Sequence, residues 1–398
     1  MLDQTNKTNF YVYNTLCSER VYDLLFHKHK VTSGTATQMF HKLIVEGLNA
    51  HKGITVRVNT LLPVNHHEQN KKFWKSEEDR ENGIIYKSLP MINIGLFGNL
   101  FTFCYVFFHV LLYRFPRKEQ NIIVTDYLRL SLNAAVVFAA KIRNIKVLTF
   151  ITDMPGESVR HTTFKAKVRN KIAIILNFDY YVCLTKYLNE ALNKKNRPSV
   201  VIEGFANWEF NKKQNLLEDK FEERVLVYAG ALYERYGIKT LIEAFILLPD
   251  DDLRLWLYGT GPFVDEIKHY EALDERVKYQ GVLAHDELLK VLIKSTLLVN
   301  PRPSHEIFTL YSFPSKNMEY MSTGTPLLTT KLPGIPKDHF PYVFFITEEN
   351  VMGLKNNLFE ILKKNSKSLH DFGSNAKKFV MKEKNNIKQT EKILSILQ

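Results

Sequence analysis

The sequence predicts an α/β protein made of two doubly wound domains in tandem, and three observations carry that expectation. Short β-branched runs alternate with amphipathic helical segments from about residue 10 onward. The rhythm stops in a polar stretch beginning at residue 207, and it then restarts. Strands covered on both faces read as continuous apolar runs, so this alternation implies parallel sheets with helices on either side. At 398 residues the chain is long enough to build two such cores.

In the first domain, strand-like runs at 10–16 and 54–61 flank ATQMFHKLIVEGL (36–48), which sets Met39, Phe40, Leu43, Ile44 and Leu48 at helical spacing. A strand near 84–86 precedes a long apolar segment. Beyond it the pattern gives a strand at 122–125, a helix at 130–142 and a strand at 146–151. A basic helix at about 164–176, a strand at 180–184 and a helix at 186–192 follow. NWEFNKKQNLLEDKFEE (207–223) reads as a linker or surface helix. The second series runs through a strand at 225–228, Gly230, a helix at 238–247, a strand at 253–258 and a turn at Gly259-Thr260-Gly261. It continues with a strand at 277–279, a helix at 285–294, a strand at 297–299, a helix at 315–322 and a strand at 326–330. The domains expected are 1–206 and 207–374. Ligands of doubly wound sheets sit beyond the carboxyl ends of the strands, which points to a cleft between the two domains as the place for chemistry.

Charge divides the halves. The net formal charge is +12, and residues 1–200 hold 28 Lys and Arg against 15 Asp and Glu, leaving 26 against 27 for residues 201–398. The basic excess of the first half suits an anionic partner such as lipid headgroups, a diphosphate-bearing acceptor or nucleic acid; a solubilising surface is the plainer reading. Arg160, Lys165, Lys167, Arg169 and Lys171 follow one another with no acidic residue between them. Cys17, Cys104 and Cys183 are odd in number and lack C-x-x-C spacing, which argues against a disulfide framework or a zinc site and fits a reducing cytoplasm. MLDQTNKTNFYVYN lacks the n-region and h-region of a signal peptide, so secretion is not expected. IGLFGNLFTFCYVFFHVLLY (94–113), followed by Arg114, Arg117 and Lys118, is about long enough to cross a bilayer. Flanking strands that share one sheet disfavour a crossing, which leaves a core helix pair or a helix dipping into one leaflet. Asp250-Asp251-Asp252, after Pro249, reads as a surface turn rather than a metal site.

The most informative stretch is NPRPSHEIFTLYSFPSKNMEYMSTGTPLLTT (300–330). A strand ends, a polar loop follows, and Ser312-Phe313-Pro314-Ser315-Lys316 opens a helix. Proline and serine suit a helix start, and the N-terminal amides with their positive dipole end hold diphosphates. Lys316 adds a full charge, and Glu319, one turn along, is placed to accept from ribose hydroxyls. An ordinary capped helix is the alternative reading.

Taken together, YAGALYERYGIKTLIEAF (228–245), LWLYGTGP (255–262), VKYQGVLAHDELLKVL (277–292), NPRP (300–303) and SFPSKNMEYMSTGTPLLTT (312–330) resemble the donor domain of GT-B fold glycosyltransferases of family 4, of the bacterial surface polysaccharide type. FHKLIVEGL (40–48), TDMPG (152–156), LTKYLNEAL (184–192) and VIEGF (201–205) match the partner domain more loosely. The resemblance implies two Rossmann-like domains facing each other across a cleft, with a final helix, about 375–397, crossing back to the first. It implies a retaining, metal-independent transfer from a nucleotide-diphosphate sugar, with no cofactor, to a polyprenyl-diphosphate-linked or oligosaccharide acceptor. The expected place is the cytoplasm, at the inner face of the cell membrane.

By the same resemblance Gly230, Gly259 and Gly261 let backbone approach the donor, and Gly281 and Val282 border the base. Ser312, Phe313, Pro314, Ser315 and Lys316 hold the diphosphate, Glu319 binds ribose, and Asp153 falls near a sugar-contacting position. Two departures stand out. The family's first glutamate is Tyr311 here, with Glu306 nearby as a substitute, and its Arg and Lys after the glycine are Ala231 and Tyr236, leaving Arg235 and Arg302 to neutralise the diphosphate. A UDP-sugar epimerase of the same fold and a basic membrane- or nucleic-acid-binding protein without catalysis are the competing readings.

Overall fold

Strand β1 (Thr8–Asn14) is buried at every position, as a strand covered on both faces must be. It lies at the centre of the first of two units into which the chain divides, Met1–Phe205 with Asn386–Gln398, and Ala206–Asn385. The computed structural model describes residues 7–28, 35–64, 71–154, 175–306 and 308–397. The basic run from Arg160 to Lys171 lies outside the described residues.

The first unit follows the βα rhythm: α1 (Thr35–Asn49), β2 (Ile54–Thr60), β3 (Glu78–Glu81), β4 (Ile84–Ser88), α2 (Gly95–Leu112), β5 (Gln120–Asp126), α3 (Leu130–Arg143), β6 (Lys146–Ile151), β7 (Tyr180–Cys183), α4 (Lys186–Leu192) and β8 (Ser199–Val201). The strands form one sheet in the order β8-β7-β6-β5-β1-β2-β4-β3, parallel except for β3 against β4. The order reverses at β1, which pairs in register with both β2 and β5. Phe10, Val12, Val56, Val58, Ile122 and Val124 point to one face of the sheet, where α1 supplies Leu43, Ile44 and Leu48. The last helix of the chain, α11 (Asn386–Ser395), adds Ile393 and Leu394 to the same core.

The apolar segment is one helix, α2, rather than a helix pair. Only Gly98, Thr102, Val106 and Val110, at four-residue intervals, are buried. A Cβ on Gly98 would lie 2.2 Å from the Ile92 carbonyl oxygen, so only glycine permits that approach.

The second unit contains β9 (Arg224–Ala229), α5 (Ile238–Ile246), β10 (Leu253–Tyr258), α6 (Val264–Leu273), β11 (Val277–Gly281), α7 (His285–Lys294), β12 (Leu297–Asn300), α8 (Ser315–Thr323), β13 (Leu327–Thr330), β14 (Phe344–Ile346), α9 (Val351–Leu362) and α10 (Ser366–Glu383). Its six strands run parallel in the order β11-β10-β9-β12-β13-β14, the order of a dinucleotide-binding sheet, with the reversal between β9 and β12. Residues 207–223 carry two short helical turns, Trp208–Lys212 and Leu217–Asp219, in place of one surface helix.

The single helix expected over 375–397 is instead α10 and α11, separated at Lys384 and Asn385. Backbone pairing replaces the helix there: the Lys384 carbonyl accepts from the Ala206 amide at 2.9 Å, and Ala206 bridges Asn385. The Lys384 amine is buried against Asp338 at 2.7 Å, which fixes the break. With the His339 ring nitrogen also bound, Asp338 is held well below the usual carboxylate range.

Candidate active site

Within the second unit the loops after β9, β10, β11 and β12 leave the sheet at its carboxyl edge, next to the strand-order reversal. Gly230 follows β9 in a conformation (φ 151°) that side chains rarely adopt, and its amide donates to the Tyr258 carbonyl at 2.9 Å. A Cβ there would fall 1.6 Å from Lys316 Nζ, so the lysine stem lies directly against the glycine backbone. Gly259, after β10, crowds Gly230 in turn: its Cβ would come within 1.8 Å of the Gly230 oxygen. A Cβ on Gly261 would meet the Leu232 oxygen at 2.1 Å, while the Leu232 amide donates to the Thr260 carbonyl at 2.8 Å. Three glycines thus let two loops stack backbone on backbone under one lysine.

Helix α8 brings that lysine. It opens at Ser315 after Pro314 (φ −72°), with no side chain capping its N-terminus, and ends at Gly324 in the left-handed region (φ 80°). Its amino end therefore keeps the positive dipole of a helix start, with the Asn317 amide turned back onto the Pro314 carbonyl at 2.8 Å. The helix is fixed to the sheet by fully buried polar contacts. The Tyr320 hydroxyl accepts from the Ala229 amide at 2.8 Å and donates to the Ala229 carbonyl at 3.1 Å. Asn300 donates to the Asn317 side-chain oxygen at 2.7 Å, and Asn317 donates to Thr329 at 3.2 Å. Phe313 is buried edge-on to His339. The Ser312 hydroxyl oxygen is buried with no hydrogen-bond partner among the described residues.

Lys316 Nζ donates to the Tyr228 hydroxyl at 3.0 Å and sits 4.5 Å from the centre of that ring; Tyr228 donates onward to the Ala231 carbonyl at 2.9 Å. Burial, and next the positive charge of Arg302, push the Lys316 amine down to about 7, with Glu319 opposing. Arg302 lies 4.7 Å from the Tyr236 ring, and Arg235 packs on the same ring and on Tyr233, each at 5.3 Å. Both guanidinium groups therefore stack on the tyrosine that replaces the expected lysine, and it is the charge of Arg302 that bears on Lys316. Glu319 is half-buried, its carboxyl raised by burial against the pull of His285 and Lys316, and it stands 3.5 Å from His285 Nδ1. The His285 ring lies near-parallel to Phe210.

The structure thus brings together Gly230, Gly259, Gly261, Lys316, Arg302, Glu319 and the opening of α8. Gly281 (φ 75°) receives the Gly259 amide on its carbonyl at 2.8 Å, has open space where its Cβ would be, and leads to exposed Val282, a rim position. Glu306 contributes its carbonyl to a turn, accepting from Thr309. Asp153 is exposed just beyond β6 in the first unit. Tyr228, Tyr320 and His285 were not expected; of these only Tyr320 has a sequence signal, four residues from Lys316 on the same helix.

Two doubly wound sheets, the second with a cationic helix start beside its reversal, have the GT-B fold of the solved structures they resemble. More particularly, residues 208–379 match the family described as glycosyl transferases group 1. Among solved structures the chain is similar to sucrose-phosphate synthase from Thermosynechococcus elongatus, with 15% identity, a TM-score of 0.68 and coverage of 98% of this chain and 99% of that one. A glycosyltransferase from Rickettsia africae gives 16%, 0.68, 98% and 98%. Anabaena HepE in complex with UDP gives 14%, 0.62, 98% and 99%. No curated protein sequence matches significantly.

Proposed function

We propose that the enzyme is a retaining, metal-independent glycosyltransferase that moves a sugar from a nucleoside-diphosphate sugar to a lipid-linked or saccharide acceptor. Its setting is bacterial surface polysaccharide synthesis, at the cytoplasmic face of the cell membrane. The observation that carries the reading is Lys316 lying on Gly230 at the uncapped start of α8, with Arg302 close enough to depress its amine. Two basic side chains and a helix dipole converge there, which is the electrostatic signature of a diphosphate seat. HepE, of the same fold, is described in complex with UDP, which supports a nucleotide donor.

As the sugar–phosphate bond stretches, negative charge collects on the departing diphosphate. The α8 amides, Lys316 and Arg302 stabilise that charge in place and take the part a divalent cation plays elsewhere. The sugar gains oxocarbenium character, and the acceptor hydroxyl attacks from the face the diphosphate leaves, passing its proton to the departing phosphate oxygen as the sugar–phosphate bond breaks. Glu319, ordered by His285, receives the ribose hydroxyls. Replacing Lys316 with Ala is expected to remove on the order of 3 kcal/mol of transition-state stabilisation, roughly a hundredfold in rate, with the fold retained. Turnover close to the parent's would overturn the assignment. A panel of UDP-, GDP- and TDP-sugars, read by thermal shift, identifies the donor. Incubation with donor alone must leave it unepimerised.

A further inference from the structure

Helix α2 carries no charged residue and buries only 22% of its 18 residues. One narrow stripe, Gly98, Thr102, Val106 and Val110, packs inward. The opposite side leaves Leu96 86%, Phe97 77% and Leu112 74% exposed, with Leu100 and Phe108 between them. Helix α3 extends the patch: Phe138 and Ile142 are exposed, and Phe138 meets Phe103 of α2 edge to face. Seven large apolar side chains on one surface exceed what water-facing surfaces ordinarily carry.

The rim indicates what covers them. Arg114, Arg117 and Lys118 are exposed just past the end of α2, as is Lys141 beside Ile142, and neither helix contains an acidic residue. An apolar strip edged by basic residues complements an anionic lipid surface. Spanning is ruled out by topology, because β4 before α2 and β5 after it belong to the same sheet. We infer that α2 and the end of α3 lie in the plane of an anionic bilayer, with Phe97, Leu100, Phe108 and Leu112 in the boundary between headgroups and acyl chains. The inference rests on the membrane-surface part of the proposed function and names the surface responsible.

Cys104 is exposed on this helix whereas Cys17 and Cys183 are buried, so the unaltered chain can be labelled there with a polarity-sensitive fluorophore. Vesicles of phosphatidylcholine with phosphatidylglycerol are expected to blue-shift the label and sediment the protein, and vesicles of phosphatidylcholine alone to do so less. The variant Leu96→Gln, Phe97→Gln, Leu100→Gln, Leu112→Gln changes exposed positions only. It should keep its melting temperature and bind the anionic vesicles at least about tenfold more weakly. A variant that binds as well as the parent refutes this surface while leaving membrane recruitment by another one standing. A parent that ignores vesicles refutes both. A lipid-indifferent parent that dimerises, where the variant stays monomeric, assigns the patch to a second copy of the chain and overturns the inference.

Discussion

The amine of Lys316 shows how a single side chain ties stability to function. Its proton is held less tightly in the folded protein than in the unfolded chain, because burial and Arg302 push it down to about 7. Below pH 7 the amine is charged in both states and the full cost of burying it is present. From there up to the ordinary lysine value the unfolded chain holds the extra proton, so this group's contribution makes stability rise with pH. Lys316→Met is therefore expected to unfold at the same or higher denaturant concentration than the parent at pH 6, with the advantage shrinking at pH 9, while nucleotide-sugar thermal shifts vanish. A variant clearly weaker than the parent at pH 6 would falsify the reading of a penalised charge. The neighbouring glycine gives the converse case. Gly230→Ala introduces an atom where Lys316 runs and a side chain at φ 151°, so it should weaken donor binding at least about tenfold by calorimetry and also lower stability. Lys316 and Glu319 were legible because they lie on one helix at readable spacing. Tyr228 and His285 were not, because their partners lie 88 and 34 residues away and only the folded sheet brings them together.

At the scale of elements, most of the parallel strands were read from sequence to within a residue or two, because two-sided burial demands the apolar runs that mark them, whereas the three-residue edge strands β8 and β14 were too short to leave such a run. Strand β3 escaped. Its residues, Glu78-Asp79-Arg80-Glu81, have no strand pattern, and pairing with β4 together with ion pairs such as Arg57 to Glu78 at 3.0 Å holds them extended at the sheet edge. Helix α6 escaped for a similar reason, burying only Ile267. The apolar composition of α2 was plain, but whether such a segment pairs, dips or crosses depends on which of its faces finds a partner, and α3 covers just one. The α8–α10 crossing gives a test at this scale. A Cβ on Gly373 would lie 2.2 Å from the Gly324 oxygen and 2.8 Å from the Pro326 nitrogen. Gly373→Ala must push α10 off the end of α8, with an expected loss of about 1–3 kcal/mol in equilibrium unfolding. An unchanged midpoint would mean that the crossing yields without strain.

At the scale of the whole molecule, the fold class was legible because a rhythm of strand and helix broken once in the middle has few solutions. The destination of the last helix was not legible from residues 386–397 themselves; only the resemblance to a family pointed back to the first unit. Packing decides it. Gly47 on α1 faces the backbone of Asn386, where a Cβ would come within 2.4 Å of the carbonyl oxygen, so α1 and α11 meet with no side chain between them at that point. The Asn386 amide group donates to the Leu43 carbonyl at 3.2 Å, and Gln389 donates to the Gly204 carbonyl at 3.0 Å. Ile393 and Leu394 then enter the core of the first unit. Truncating both to alanine removes roughly 4–8 kcal/mol from that unit, comparable with the whole stability of an ordinary domain, while touching nothing in the core of the second. Calorimetry of the full-length double variant should lose or sharply lower one unfolding transition and leave the other near the parent's temperature, with donor-induced stabilisation confined to the surviving one. If both transitions fall together, the two units unfold as one, and the anchoring of α11 cannot be assigned to the first core alone.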